Sequence, residues 1–329
     1  MENKLIDNIQ KKINNDNNNQ KCRIIKNIGK FIFLILSIIT ININYTLPKN
    51  IKDLKVGLCL IGKNENLYAR ELVEYYKNLG YNHIFIYDNN DIGDEKFDDV
   101  LYNEINNNFV TIINYRGYKG DDNNNNQQQK SYYDCYKRYS SKYDWLSFFD
   151  FDEFLYIKNN KTIQEFLSDK KYKKCINMKL NWLMYTDNDL VYYENKPLKE
   201  RFTSYDENFY RNKHIKSTVR GHLKKNYWRE MPNPHTSILD YTCCNALGEV
   251  IGYDAYFNIP PNYDIAYIKH YWGKTIEEYC LKIKRGYPDH KVIFTKELLN
   301  DRFKSFFELN KKTKEKLDYI KKTFNITYE

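Results

Sequence analysis

The chain has no C-x-x-C pair among its seven cysteines, which leaves a structural zinc site without its usual ligand spacing. It carries no RNA-binding signature beside its basic residues, so nucleic acid is not an expected partner. A clean membrane-length apolar run is also lacking. The long run that exists, Phe31 to Leu47, is 17 residues, the short end of a bilayer span, and Asn42 and Asn44 interrupt its second half. No small-residue cleavage site follows it and a long polar tail precedes it, which argues against a cleaved leader. The cysteine count is odd, so at least one thiol stays unpaired. Spacing does not choose partners among Cys22, Cys59, Cys135, Cys175, Cys243, Cys244 and Cys280, and Cys59, inside an apolar run, reads as a small buried hydrophobe.

What is present suits a globular protein with tails. With 329 residues, 42% apolar and 16% aromatic, the chain can bury one large α/β core or two small ones. The 32 tyrosines accompany abundant Asn, Lys and Ile and read as compositional bias rather than as a cofactor box. The net charge of +9 is uneven: residues 1–30 hold seven Lys or Arg against three acids, and Lys282 to Lys322 hold thirteen against six. An anionic membrane surface, a phosphate-bearing ligand and plain solvated helix faces all suit such clusters. Lys21, Arg23, Lys26 and Lys30 flank the apolar run, which predicts a single-pass signal anchor at 31–47 with residues 1–30 cytoplasmic and 48–329 across the membrane. A buried core strand or helix is the alternative. In a lumen, Asn44-Tyr-Thr46, Asn160-Lys-Thr162 and Asn325-Ile-Thr327 would be glycan acceptor patterns.

Along the chain, strands and helices alternate. Lys55 to Gly62 is a buried strand, Asn66 to Leu79 an amphipathic helix stopped by Gly80, and His83 to Asp88 a second strand. A weaker helix at Asp94 to Ile105, a strand at Phe109 to Ile113, a polar loop at Asp121 to Gln129 and a helix around Lys130 to Ser141 follow. This order predicts an α/β fold with a parallel sheet. Ligands of such sheets bind beyond the carboxyl ends of the strands. Asn64, Glu65, Asp88 and Asp150 all fall at those ends.

The most informative stretch is Trp145-Leu-Ser-Phe-Phe-Asp150-Phe-Asp152-Glu153-Phe-Leu-Tyr156, where two carboxylates one residue apart close an apolar strand. Ionised Asp side chains beside Leu146, Phe148 and Phe149 are disfavoured unless something positive faces them. A hard divalent cation such as Mn²⁺ or Mg²⁺, with positions open to the phosphates of a nucleotide, meets that need.

Five blocks in order carry a resemblance: Lys63-Asn64-Glu65; Glu71 to Gly80; Ile86-Tyr-Asp88-Asn89-Asn90; Asp144-Trp145 through Phe154; and, further on, Pro234-His235 with His270-Tyr271-Trp272-Gly-Lys274-Thr275 and Lys284-Arg285-Gly286. Together they resemble the family 92 glycosyltransferases and their family 2-like relatives over roughly Lys55 to Gly286. The resemblance implies a GT-A type fold: a Rossmann-like, mostly parallel nucleotide-binding half at about 55–157, an acceptor half at about 158–290 and a basic helical C-terminus at 291–329. It also implies a metal-dependent hexosyltransferase that moves sugar from a nucleotide-diphospho-sugar, a UDP-sugar first, to a glycan, glycolipid or glycoprotein acceptor with inversion.

Under that resemblance Asp150 and Asp152 are the metal carboxylates, with His270 a further metal or phosphate ligand. Asp150 is shared with ribose or phosphate, and Glu153 orients the pair or caps the next turn. Asn64, Glu65 and Asp88 line the nucleotide pocket, and Lys274 and Arg285 take the diphosphate, unless they and Lys284 are a solvated helix face. An inverting step needs a base, for which Asp254 is the choice among several carboxylates of the acceptor half. Trp182, Tyr185 and Trp228 are either sugar platforms or core residues. Two other classes compete. A haloacid-dehalogenase-like phosphatase also uses D-x-D after a strand, but there the pair opens the domain and is followed by Thr or Val. A non-catalytic sugar or nucleotide-sugar binding protein of the same fold is the second.

Overall fold

The computed structural model describes residues 53–117, 127–223, 235, 242–252, 257–286 and 295–326, all within a compact unit running Asn50–Glu329. The expected tail and anchor, Asp254 and Trp228 lie outside the described residues. Among the described residues, no helix is long and apolar enough to cross a membrane.

The first half follows the sequence reading. Strand β1 (Val56–Gly62) buries all seven residues because helices cover both faces of the sheet around it. It pairs in parallel with β2 (His83–Asp88) on one side and β4 (Trp145–Phe148) on the other, and β3 (Val110–Asn114) extends the sheet beyond β2. Helix α1 (Asn66–Asn78) turns Tyr68, Ala69, Leu72, Val73 and Tyr76 inward at helical spacing. It ends before Gly80, whose φ of +98° costs least without a β-carbon. Helix α2 (Phe97–Asn106) and helix α3 (Gln127–Tyr139) complete this half. The end of the polar run read as loop forms the first turn of α3.

The second half departs from the expected parallel sheet. Strands β5 (Glu153–Ile157), β6 (Asn177–Met184), β7 (Ile215–Arg220), the short β8 (Cys243–Cys244) and β9 (Val250–Ile251), and β10 (Ala266–His270) make the sheet mixed. The main order is β3-β2-β1-β4-β7-β6-β10-β5. Here β7 runs antiparallel to both β4 and β6, and β10 runs parallel to β6 but antiparallel to β5. The reason is connectivity. Between β5 and β10 the described α-helices are only the short α4 (Ile163–Leu167) and α5 (Leu198–Arg201), so the long helical crossovers that join parallel neighbours in the first half are not repeated.

The sheet also curls. Strands β4 and β5 lie four strand spacings apart in the order, about 19 Å if flat. Yet only residues 149–152 join them, folded into a turn in which the Glu153 N–H donates to the Asp150 carbonyl at 3.2 Å. The strands must therefore bend around until β5 faces β4, and the Asp pair sits on the turn that makes the closure.

Helices α6 (Ile276–Arg285), α7 (Lys296–Phe307) and α8 (Lys314–Phe324) form a second core with Ile276, Tyr279, Ile283, Phe303, Phe306 and Ile320. Two disulfides staple the unit: Cys59 in β1 to Cys135 in α3, and Cys175 to Cys244. Cys59 is thus buried, as expected, but bonded. Its partner lies on the inner face of α3, one turn after Ser131. Cys280 is a buried free thiol, and Cys243 is buried in β8.

Candidate active site

The turn after β4 gathers its charges within the curl. Asp150, with its side chain 32% exposed, accepts from Gln128 Nε2 at 2.6 Å and Tyr132 Oη at 3.2 Å on one oxygen. The other oxygen meets Lys216 Nζ at 2.8 Å. Asp152, only 4% exposed, bonds Lys282 Nζ at 2.6 Å through Oδ2, and its Oδ1 lies 3.4 Å from His270 Nε2. Burial alone would raise the Asp152 pKa, but Lys282 and His270 outweigh it and hold the carboxyl well below the usual range. Glu153 is fully buried. Its Oε2 accepts the Asp150 N–H at 2.9 Å, which fixes the turn. Burial lifts its pKa well above normal, Lys216 opposes, and the two aspartates add to the rise. For Lys216 the balance reverses: burial disfavours its charge, but Asp150 and Glu153 more than offset that.

The rim opposite is built by the β1–α1 loop and α6. A β-carbon on Gly62 would meet the rings of Phe151 and Phe97 at 2.5 and 2.6 Å, so glycine there lets the loop lie directly against the Asp-bearing turn. Asn64 follows with φ of 52°, its N–H donating to Asn90 Oδ1 at 2.6 Å. Arg285 closes the loop from the side, donating to the carbonyls of Lys63 at 2.6 Å and Asn64 at 3.0 Å and to Glu65 Oε1 at 2.5 Å. Lys274 is held differently. It is 5% exposed, left-handed at φ 53°, and its ammonium lies 4.3 Å from the centre of the Tyr68 ring. Burial lowers its pKa, with Glu65 and Asp152 opposing. Among the described residues no carboxylate pairs with it directly. A buried cation so placed is suited to an incoming anion.

The structure therefore brings Asn64, Glu65, Asp150, Asp152, His270, Lys274 and Arg285 to one rim. Asp88 is at the adjoining strand end, 2% exposed, and its oxygens are taken by Asn90 and by Arg116 Nη1 at 2.9 Å. Trp182 is ringed by His270, His214 and His235 with centroids 4.4, 5.0 and 5.3 Å away. The His214 ring stacks on one indole face, which leaves that face closed to a sugar. His235 donates from Nδ1 to the Ile215 carbonyl at 2.5 Å, and burial pushes its pKa down to about 3.

Comparison with known proteins was made on sequence and on fold. The sequence pattern of Glycosyltransferase family 92 matches residues 52–242, more than half of the chain. The chain belongs to glycosyltransferase family 92. No curated protein matches it. Similar solved structures include S. aureus TarS, at 11% identity and TM-score 0.35 over 77% of this chain and 43% of that one. TarS 1–349 in complex with UDP is similar at 10% identity and TM-score 0.38. In complex with UDP-GlcNAc it is similar at 9% and 0.37, covering 77% of this chain and 71% and 72% of those chains respectively. The chain thus spans less than half the length of that first TarS chain.

Three charged residues of this family 92 site escaped the sequence reading. Lys216 and Arg116 left no motif: Lys216 lies in a segment to which the sequence reading gave no element, and Arg116 stands just after β3. Lys282 was counted only within the basic C-terminal cluster. Of these, Lys216 and Lys282 each neutralise one aspartate of the pair. Among the described residues no three His, Cys, Asp or Glu side chains are grouped to hold a metal ion. Two donors still fit one: Asp152 Oδ1 and His270 Nε2, 3.4 Å apart, can share a cation at ligand distances of about 2.1 Å. Glu153 Oε1 and His270 Nδ1 are buried without a hydrogen-bond partner.

Proposed function

We propose that this chain transfers a hexosyl group from a nucleotide-diphospho-sugar, a UDP-sugar first, to a hydroxyl of a glycan, glycolipid or glycoprotein, with inversion and with dependence on Mn²⁺ or Mg²⁺. The observation that carries this reading is the Asp150–Asp152 turn at the mouth of the curled sheet, faced by the buried Lys274 and the partly buried Lys282, in a family 92 chain. Asn64 and Glu65 line the nucleotide side, held there by Arg285, and Asp88 with Arg116 supports the adjoining loop. Asp152 and His270, with Asp150 beside them, would hold the metal, which when bound supplies positive charge at the leaving diphosphate. Lys274 adds a fixed positive charge in a site from which water is largely excluded. The acceptor proton passes to a carboxylate, for which Asp254 is the proposed base. A membrane-anchored catalytic unit in an oxidising lumen accords with the two disulfides, which persist in such compartments.

The test is donor hydrolysis and transfer with UDP-sugars and Mn²⁺. Asp152→Asn should lower both by about 10²–10³-fold, and Asp254→Asn should lower transfer more than donor hydrolysis. Release of phosphate from simple phosphomonoesters would support the phosphatase class instead. Donor binding without turnover would support the binding protein.

A further inference from the structure

The two lysines on the Asp pair are not equivalent. Lys216 stands on the central strand β7 with its side chain 1% exposed. It bonds Asp150 and lies 3.4 Å from Glu153, so it is a fixed countercharge. Lys282 reaches in from α6. Its side chain is 14% exposed, its ammonium also donates to the Trp272 carbonyl at 3.0 Å, and the ammonium lies 5.9 Å from the centre of the Trp272 ring. Arg285, on the same helix, pins α6 to the β1–α1 loop. The helix is thereby fixed at the nucleotide rim, so any change of partner at Lys282 falls on its side chain.

Asp152 faces an electrostatic conflict. Its Oδ2 is bonded to Lys282 at 2.6 Å and its Oδ1 faces His270 at 3.4 Å. A divalent cation on this carboxylate would place two further positive charges next to an ammonium at contact distance, and repulsion at that range is strong in a partly desolvated site. Metal and ammonium would then sit on the two oxygens of one carboxylate, each weakening the other's hold. A diphosphate resolves the conflict, because it brings negative charge to the same place.

We propose that Lys282 is a shared cation of the donor site, which passes from Asp152 to the diphosphate when the sugar nucleotide binds and so frees Asp152 for the metal. Lys282 then contacts the leaving group and stabilises the charge that gathers there, which makes it a catalytic residue beyond those assigned above. The proposal rests on the function proposed in the preceding section. It predicts that metal and nucleotide favour one another's binding: metal alone must compete with Lys282 for Asp152, whereas with the diphosphate bound Lys282 has another partner.

Two binding measurements on the full chain test it: Mn²⁺ alone by electron paramagnetic resonance, with Asp152→Asn as background, and UDP at saturating Mn²⁺ by calorimetry. Lys282→Met should bind Mn²⁺ alone about tenfold more tightly, since its competitor is gone. It should bind UDP about tenfold more weakly, since a charge-assisted hydrogen bond is lost. Lys282→Arg should stay near the wild type in both. A purely structural brace would weaken both ligands together, and that result, or unchanged UDP binding, overturns the proposal. If Lys282→Met does not fold, as judged by circular dichroism, Lys282→Gln carries the same pair of expectations. Wild-type protein that binds neither Mn²⁺ nor UDP would overturn the proposed function itself, and this inference with it.

Discussion

Lys216 cannot reach water, so its worth lies in the carboxylates it faces. Removing one partner of a buried ion pair typically costs about 3–5 kcal/mol because the other charge is left uncompensated. Lys216→Met should therefore lower the melting temperature markedly, and adding Glu153→Gln should recover part of the loss by removing one stranded charge. A double variant no more stable than the single one would mean Lys216 acts through packing. The histidines give a second expectation. Burial lowers the pKa of His214, His235 and His270, so the folded chain holds them neutral while the unfolded chain takes up protons below about pH 6.5. Their stability contribution is complete above that pH and is lost as pH falls toward the folded values, about 3 for His235. Each can contribute a slope of at most about 1.4 kcal/mol per pH unit. Thermal melts between pH 6.5 and 5 should show stability falling, and His235→Gln should flatten the slope. An equal slope in the variant would show that His235 is not held neutral.

Helix α3 links a staple to the site. Cys135 on its inner face bonds Cys59, and one and two turns earlier Tyr132 and Gln128 bond Asp150. The second disulfide, Cys175–Cys244, makes no such link. The two close loops of similar length, with sequence separations of 76 and 69 residues, so each should contribute about 4 kcal/mol by restricting the unfolded chain. The paired variants Cys59→Ala/Cys135→Ala and Cys175→Ala/Cys244→Ala should thus lose similar stability in denaturant melts. Only the first should also weaken UDP binding at temperatures where both are folded. Equal UDP affinity in the two would separate α3 from the positioning of Asp150. The sequence made this helix legible but not its bond. Strand and helix could be read from the spacing of Leu58, Leu60, Tyr132 and Tyr136, whereas the Cys59–Cys135 pairing depends on which helix face meets which strand residue. Strand β7 was hidden for a related reason: Lys216, Ser217, Thr218 and Arg220 make it polar, yet all six residues are buried, with Lys216 paired to Asp150 and Glu153 and Arg220 donating to the Cys175 and Tyr172 carbonyls.

For the whole unit, the first half was readable because local periodicity sets it: β1, α1 and β2 needed only neighbouring residues to declare themselves. The curl was not, since it follows from β5 pairing with β10 more than a hundred residues later. That pairing is what brings His270 and α6, and with it Lys282, onto the Asp pair, so the countercharges of the site were beyond reach of any local pattern. The chain's compartment makes one last expectation of the complete molecule. Asn160 is exposed just after β5, within Asn160-Lys-Thr162, and two disulfides accompany it. If the unit is luminal, both marks should appear together in protein made in a secretory host. Denatured, unreduced protein should take up alkylating reagent at Cys280 but not at Cys59, Cys135, Cys175 or Cys244. Glycosidase treatment should sharpen its gel mobility, and Asn160→Gln should remove one step of that change. Full labelling of the four bonded cysteines, with no glycosidase shift, would place the catalytic unit in a reducing compartment. The two stabilising bonds would then have to be replaced by packing alone, a loss that the melting temperature under reducing conditions would expose.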